Sequence, residues 1–260
     1  MPTVDIDGLR VSFVDEGAGV PLVFVHGLVG SKEWFCYQAS GLSDRYRTIS
    51  YDLRRARGSY TLDNLAHDLV RLLDRLKLPA AAIAGHELGS LVALKTAATY
   101  PERCVALILS SAALSFGGNS TDDLLAWFAP GGAQLDGVLA RFWRWVTGRA
   151  APRIEEAEEG LAYLAQENGD IDGHTLRARM KLLRQTDLEP ILAGIGVPAL
   201  VIAGALDRPE LLAGAQRLAE LLPEATLEVL EGADHFCFYT RHDLFNAVVD
   251  EFLADAVKSV

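Results

Sequence analysis

The stretch Ala84-Gly85-His86-Glu87-Leu88-Gly89-Ser90 decides how this chain folds. It follows the apolar run 80–84, which is typical of a buried strand, and it opens the helical pattern 88–100. Glycines on both sides of Glu87 permit a strained strand-to-helix turn that lifts the middle side chain clear of the backbone. We therefore expect Glu87 at the tip of a sharp turn.

Strands and helices alternate along the rest of the chain. The pattern predicts strands at 9–14, 21–25, 46–51, 105–109, 199–203 and 225–230, and helices at 62–76, 210–222 and 244–256. The run 9–14 alternates polar and apolar residues before the turn Glu16-Gly17-Ala18-Gly19, which favours an edge hairpin that leads into a buried strand. Continuous apolar strands belong to a mostly parallel sheet covered by helices on both faces. The fold class is therefore α/β, doubly wound.

Residues 116–190 break this alternation. They hold three of the four tryptophans and the Gly-rich Pro130-Gly131-Gly132, and they show no clear strand. The segment is interpreted as several short helices inserted between two strands. Since ligands bind at the carboxyl ends of the strands in open α/β sheets, we expect a helical cap over that edge. Residues 1–115 and 191–260 would then form the core and 116–190 the cap.

Composition narrows the classes of function. The 260 residues are half apolar and carry 35 Asp plus Glu against 24 Lys plus Arg, a net charge of −11, so nucleic acid is not an expected partner. The N-terminal residues lack a signal-peptide pattern and no run approaches the length of a membrane span, which predicts a cytoplasmic protein without a membrane partner. The three cysteines (Cys36, Cys104, Cys237) have neither disulfide-framework nor zinc-site spacing.

Four separate motifs now point to one family. His26-Gly27-Leu28-Val29-Gly30-Ser31 follows a predicted strand, Gly85-His86-Glu87-Leu88-Gly89 forms the turn, Ala203-Gly204-Ala205-Leu206-Asp207 ends a late strand, and Gly232-Ala233-Asp234-His235-Phe236 lies near the C-terminus. In order, spacing and context these segments resemble the α/β-hydrolase superfamily, which includes esterases, lactonases and epoxide hydrolases. The likeness covers nearly the whole chain.

The resemblance implies a set of site residues. Glu87 matches the nucleophile at the tip of the turn called the nucleophile elbow, Asp207 matches the acid of the catalytic triad, and His235 matches its histidine. The backbone N–H groups of Leu28 and Leu88 match the oxyanion hole. The resemblance also implies hydrolysis. We expect the substrate to be a small metabolite, largely apolar because the predicted cap is rich in aromatic residues. No cofactor or metal is expected, and the histidines of this sequence show no metal-ligand spacing.

Glu87 departs from the family pattern, because most members have Ser there and others Asp or Cys. Three interpretations stay open. Glu87 can attack an sp3 carbon as a nucleophile and form an ester that His235-activated water hydrolyses. It can act with His235 as an acid/base pair, either in hydrolysis by direct water attack or in lyase, isomerase or cyclase chemistry. The two backbone amides would then be free for the substrate or blocked by Glu87 itself. Alternatively, the two form a buried ion pair in an inactive ligand-binding protein, and an engineered Ser-to-Glu change is a further alternative.

The remaining candidates concern substrate binding. In the predicted cap, Trp127, Phe128 and Trp143 are expected to provide an aromatic lining, together with Phe236 near the triad histidine. Arg54, Arg55 and Arg57, which stand in a shortened loop, are either receivers of a substrate carboxylate or phosphate or part of a solvated turn. Ser90 lies one helical turn past the tip and is not expected to replace the missing serine. His26 and His86 are expected to brace the two loops.

Overall fold

The computed structural model describes residues 2–112 and 171–259. Within these ranges the strands are β1 (Thr3–Ile6), β2 (Leu9–Glu16), β3 (Val20–Val25), β4 (Tyr46–Tyr51), β5 (Ala81–His86), β6 (Cys104–Ser110), β7 (Ala199–Gly204) and β8 (Ala225–Leu230). The helices are α1 (Cys36–Leu42), α2 (Leu62–Arg75), α3 (Leu88–Thr99), α4 (Gly173–Gln185), α5 (Glu189–Leu192), α6 (Pro209–Leu221), α7 (Cys237–Thr240) and α8 (His242–Ala256). None of these helices has the length and apolarity to cross a bilayer.

The strands form one sheet in the order β1-β2-β4-β3-β5-β6-β7-β8. β1 and β2 pair antiparallel with their neighbours, whereas β3 to β8 run parallel. The edge hairpin is therefore β1 with β2, closed at the positive-φ pair Asp7-Gly8. The turn Glu16-Gly17-Ala18-Gly19 connects β2 to β3, but these two strands are not paired because β4 lies between them.

The centre of the sheet is buried on both faces. Every residue of β5 and β7 is buried, which explains why these runs are continuously apolar rather than alternating. Helix α3 packs on β5 and against α2, and α6 packs on β7. Helix α4, which lies inside the range predicted as the cap, adds Leu176, Met180 and Leu183 to the core.

This topology brings the predicted site residues to one edge. Leu28 follows β3, Glu87 follows β5, Asp207 follows β7 and His235 follows β8, and these four strands are parallel. Their carboxyl ends meet at the same edge of the sheet, where open α/β folds bind ligands. Loops after four parallel strands therefore converge at one edge, as the resemblance of the four motifs implies.

Candidate active site

Glu87 stands at the tip of the turn between β5 and α3. Its backbone has φ 52° and ψ −109°, a strained conformation for a residue other than glycine. A Cβ at Gly85 would lie 2.3 Å from the carbonyl oxygen of Gly89, and a Cβ at Gly89 would lie 1.9 Å from the carbonyl oxygen of Val25. Both positions require glycine, so the spacing seen in the sequence reflects the close approach of α3 to β3 and β5.

The Glu87 carboxylate occupies the position expected for an anion. Its Oε2 accepts a hydrogen bond of 2.8 Å from the N–H of Leu28, and the side chain is buried. A Cβ at Gly27 would lie 2.7 Å from the same oxygen, so glycine at this position makes room for the carboxylate. Leu88 is the first residue of α3, and N–H groups at that position have no partner within the helix. One of the two predicted donors is thus bound to Glu87 itself.

His235 and Asp207 form a buried pair across the loops that follow β7 and β8. Nδ1 of His235 lies 3.0 Å from Oδ2 of Asp207, and the His235 carbonyl accepts a 2.7 Å hydrogen bond from the Ser111 hydroxyl. Donation to the carboxylate assigns the proton to Nδ1. Nε2 of His235 is buried and has no hydrogen-bond partner among the described residues. The ring is therefore fixed with Nε2 open toward the site.

Burial and charge shift the pKa values of this pair. Burial raises the pKa of Glu87 above its usual 4.5, against the opposing effects of His235 and the Leu28 N–H. Burial alone would lower the pKa of His235, but the nearby Asp207 carboxylate outweighs it and raises that pKa above 6.5. The carboxylate of Asp207 thus favours the imidazolium that forms when His235 accepts a proton.

His86 contacts His235, whereas the sequence predicted only that His86 braces its loop. Its ring packs edge-on against His235 with centroids 5.1 Å apart, and its Nδ1 lies 3.1 Å from the Ser110 hydroxyl. Its Nε2 is buried without a hydrogen-bond partner among the described residues. Burial lowers the pKa of His86 well below 6.5. One ligand atom each from His86, Glu87 and His235 lie within 4.8 Å of one another.

Arg179 of α4 is a site residue that the sequence did not reveal. It is 3% exposed, and its guanidinium donates to the carbonyls of Leu28 at 2.8 Å and Leu53 at 3.3 Å and to the Tyr60 hydroxyl at 3.2 Å. These contacts join the loops after β3 and β4. The sequence gives no signal that an arginine of an amphipathic helix joins two loops, since most arginines on such helices are solvated.

Of the residues predicted to bind the substrate, Phe236 lies in the part of the chain that the structure describes. Phe236 is buried and its ring contacts those of Trp34, His86 and His235, with centroids 5.2–5.6 Å apart. It therefore forms part of an aromatic cluster beside His86 and His235. The predicted cap residues Trp127, Phe128 and Trp143 lie outside the described residues.

The arginine-rich loop is partly an internal contact. Arg54 binds the buried carboxylate of Asp68 through two guanidinium nitrogens. Its interpretation as a receiver of substrate anions is therefore wrong, because the Asp68 carboxylate already occupies its guanidinium. Arg55 lies 3.9 Å from Asp172, and both side chains are largely exposed. A role for Arg57 stays a prediction.

Ser90 and His26 have the positions expected of them. The Ser90 hydroxyl is buried and donates to the backbone carbonyls of Gly85 and Ser110, so it does not point into the site. His26 braces its loop: Nε2 accepts the N–H of Leu53 at 3.0 Å, and Nδ1 lies 2.8 Å from the carbonyl oxygen of Gly27.

Comparisons with known proteins agree with this geometry. The family model described as the alpha/beta hydrolase fold matches residues 20–241. The chain is 31% identical to 3-oxoadipate enol-lactonase 2 of Acinetobacter baylyi, over 88% of this chain and 86% of that protein. It is 28% identical to a putative carbamate hydrolase, RutD, of Variovorax paradoxus, over 91% and 92%.

Solved structures give the same result. The crystal structure of the enol-lactonase from Burkholderia xenovorans superposes with a TM-score of 0.85 at 25% identity, covering 97% of this chain and 100% of that one. Relatives named as hydrolases confirm the prediction of a hydrolase at the level of enzyme class. The chain belongs to the α/β-hydrolase fold family, with Glu87 where most members are expected to have serine.

Proposed function

We propose that this protein hydrolyses an ester, lactone or carbamate bond of a small, largely apolar metabolite by direct attack of water. The observation that carries the proposal is the hydrogen bond from the Leu28 N–H to the Glu87 carboxylate, beside the open Nε2 of His235. Attack by Glu87 on a carbonyl carbon would need the Leu28 N–H for the resulting oxyanion. That donor is already bound to the attacking group, so a covalent route through Glu87 is disfavoured.

In this mechanism one water molecule bridges the Glu87 carboxylate and His235. A water that donates to the Glu87 carboxylate and to Nε2 of His235 makes two hydrogen bonds of about 2.8 Å, which span about 4.6 Å. The ligand atoms of these residues lie within 4.8 Å of each other. Glu87 would orient the water and His235 would be the general base.

The reaction then balances with the groups present. The water oxygen attacks the carbonyl carbon while its proton passes to Nε2 of His235, and Asp207 stabilises the imidazolium. The N–H of Leu88, the first residue of α3, would donate to the oxyanion. When the carbon–oxygen or carbon–nitrogen bond breaks, His235 returns the proton to the leaving group. An ester gives a carboxylic acid and an alcohol or enol, and a lactone gives the same two groups within one molecule. A carbamate gives a carbamic acid and an alcohol when its carbon–oxygen bond breaks, or a carbonic acid monoester and an amine when its carbon–nitrogen bond breaks.

Two observations support the class of substrate. The relatives are named for an enol-lactone and a carbamate, both of which have a carbonyl that water can attack. Beside His86 and His235, the cluster formed by Trp34 and Phe236 is apolar and buried, which suits a substrate with an apolar body.

A single-turnover experiment in 18O-labelled water tests the proposal. Enzyme in excess is mixed with a panel of enol-lactones, esters and carbamates, and the products and the Glu87-containing peptide are analysed by mass spectrometry. We expect 18O in the released acid and none in Glu87. Label in the Glu87 peptide would establish the covalent route instead, and turnover without 18O would favour lyase or isomerase chemistry.

Two variants complete the test. Glu87→Gln keeps the size of the side chain and its bond to the Leu28 N–H, so it should still bind ligands while its turnover falls. His235→Gln removes the general base and should reduce turnover by about 10²–10⁴-fold. If no member of the panel is turned over but ligands bind equally well with and without His235, the protein is a ligand-binding member of the family.

A further inference from the structure

We propose that His86, Glu87 and His235 form a binding site for one divalent transition-metal ion of the zinc type. Their ligand atoms lie within 4.8 Å of one another, and all three residues are 1–2% exposed. Nε2 of His86 and Nε2 of His235 are both buried and without a hydrogen-bond partner among the described residues. Buried polar atoms are rarely unpaired in proteins, and a bound ion or water commonly satisfies those that no protein group reaches.

The chemistry of the three donors suits such an ion. Two imidazoles and one carboxylate are a ligand set found in zinc and iron enzymes, where they leave at least one coordination position open. Zinc-to-ligand distances near 2.1 Å place tetrahedral ligand atoms about 3.4 Å apart. The three atoms therefore need to approach one another by at most about 1.4 Å.

The surrounding hydrogen bonds already orient both histidines. Nδ1 of His235 contacts Asp207 at 3.0 Å, and Nδ1 of His86 contacts the Ser110 hydroxyl at 3.1 Å. In metal sites the ring nitrogen that does not bind the ion commonly has such a partner, which fixes the tautomer and the direction of the free nitrogen. In both rings Nδ1 has a partner and Nε2 has none among the described residues, so Nε2 is the nitrogen left to bind an ion.

Glu87 is what completes the set. With serine at this position the third donor would be a neutral hydroxyl, which is a poorer zinc ligand than a carboxylate. His26 does not compete, because both of its ring nitrogens have backbone contacts. His67 does not belong to the cluster and stands on the surface, where 52% of its side chain is exposed.

An ion at this site would bind Nε2 of His235, the atom that accepts the proton in the proposed hydrolysis. That consequence rests on the proposed function: the ion and the bridging water exclude each other, so Zn²⁺ should inhibit the metal-free enzyme. The existence of the site does not depend on it, since binding is measured without substrate.

The test is a titration of the full chain after removal of metals with a chelator. Zn²⁺ is added in competition with a chromophoric chelator, and Co²⁺ is used as a spectroscopic substitute. We expect one equivalent to bind, with Co²⁺ bands of nitrogen and oxygen ligation and no thiolate charge-transfer band. Glu87→Gln and His86→Asn should each weaken binding by at least about tenfold, whereas the surface control His67→Ala should leave it unchanged.

Three results would overturn the proposal. They are no binding to the folded chain, binding that survives both variants, and a thiolate band that assigns the ion to a cysteine. Circular dichroism of each variant verifies its fold, and if His86→Asn does not fold, Glu87→Gln alone decides. Loss of the proposed hydrolysis with intact Zn²⁺ binding would refute only the proposed function.

Discussion

Replacing Glu87 by serine should convert this site into one that forms an acyl-serine. The backbone at position 87 already has φ 52° and ψ −109°, the glycines on both sides are in place, and His235 is oriented by Asp207 at 3.0 Å. Glu87→Ser removes the carboxylate that occupies the Leu28 N–H. The variant therefore gains a nucleophile next to a general base and an oxyanion hole with both donors free.

The size of the gain follows from the donor that is released. One oxyanion-hole donor contributes about 10²–10³ to kcat in enzymes of this kind, and a positioned base contributes about 10²–10⁴. His235 is present in both proteins, so the released donor sets the lower limit. We expect Glu87→Ser to hydrolyse p-nitrophenyl acetate at least about 10²-fold faster than the parent chain.

The assay combines kinetics with intact-protein mass spectrometry. Glu87→Ser should show a burst of p-nitrophenolate and a single fluorophosphonate adduct, and the parent should show neither. Glu87→Ala is the matched control, because it frees the Leu28 N–H without adding a nucleophile. A folded Glu87→Ser protein that forms no adduct would refute the reasoning, since it would mean that Nε2 of His235 is not directed at the tip of the turn.

Three further predictions concern residues around the tip. Asp207→Asn should lower kcat by about 10²–10⁴-fold through loss of imidazolium stabilisation, and an unchanged kcat would remove Asp207 from the mechanism. Arg179→Met leaves two buried backbone carbonyls without donors and should reduce the free energy of unfolding in urea by about 1–3 kcal/mol; the exposed Arg177→Met on the same helix is its control, and equal losses would contradict the argument. Because burial lowers the pKa of His26 well below 6.5, the folded state binds fewer protons than the unfolded state below pH 6.5. The contribution of His26 to the free energy of unfolding is therefore fully present above pH 6.5. Below pH 6.5 the free energy of unfolding should fall by up to about 1.4 kcal/mol per pH unit, and His26→Gln should make this decrease smaller.

The sequence predicted the strands β2 to β8 and the helices α2, α3, α6 and α8, because each of them had a local cause. It did not predict β1. Strands β5 and β7 are buried on both faces and are therefore unbroken apolar runs in the sequence. Helix α2 was predicted at 62–76 and observed at Leu62–Arg75, where Thr61 caps its first turn by accepting the N–H of Asn64. The position of β4 between β2 and β3 has no such local signal, because it depends on which strands pair across the sheet.

The same distinction applies to the site. The glycine spacing around Glu87 predicted the turn, because a Cβ at either glycine would clash with backbone. The direction of the Glu87 side chain was left open, since the Leu28 N–H that binds it comes from another loop. The contacts of His86 and Arg179 were missed for the same reason: each depends on strands and helices far apart in sequence.

Glutamate in place of the serine expected at position 87 changes which buried atoms need a partner from a bound water or ion. A serine hydroxyl at this position would donate to Nε2 of His235 and leave the Leu28 N–H free for the substrate. The Glu87 carboxylate satisfies Leu28 but leaves Nε2 of His235 and Nε2 of His86 open among the described residues, and buried charges and polar atoms are costly without partners. A bridging water or a metal ion would each supply those partners, and both need the same nitrogen of His235. The resting protein is therefore expected to hold one of them at this point, and a crystal structure grown with and without a chelator would distinguish the two by the electron density between Glu87 and His235.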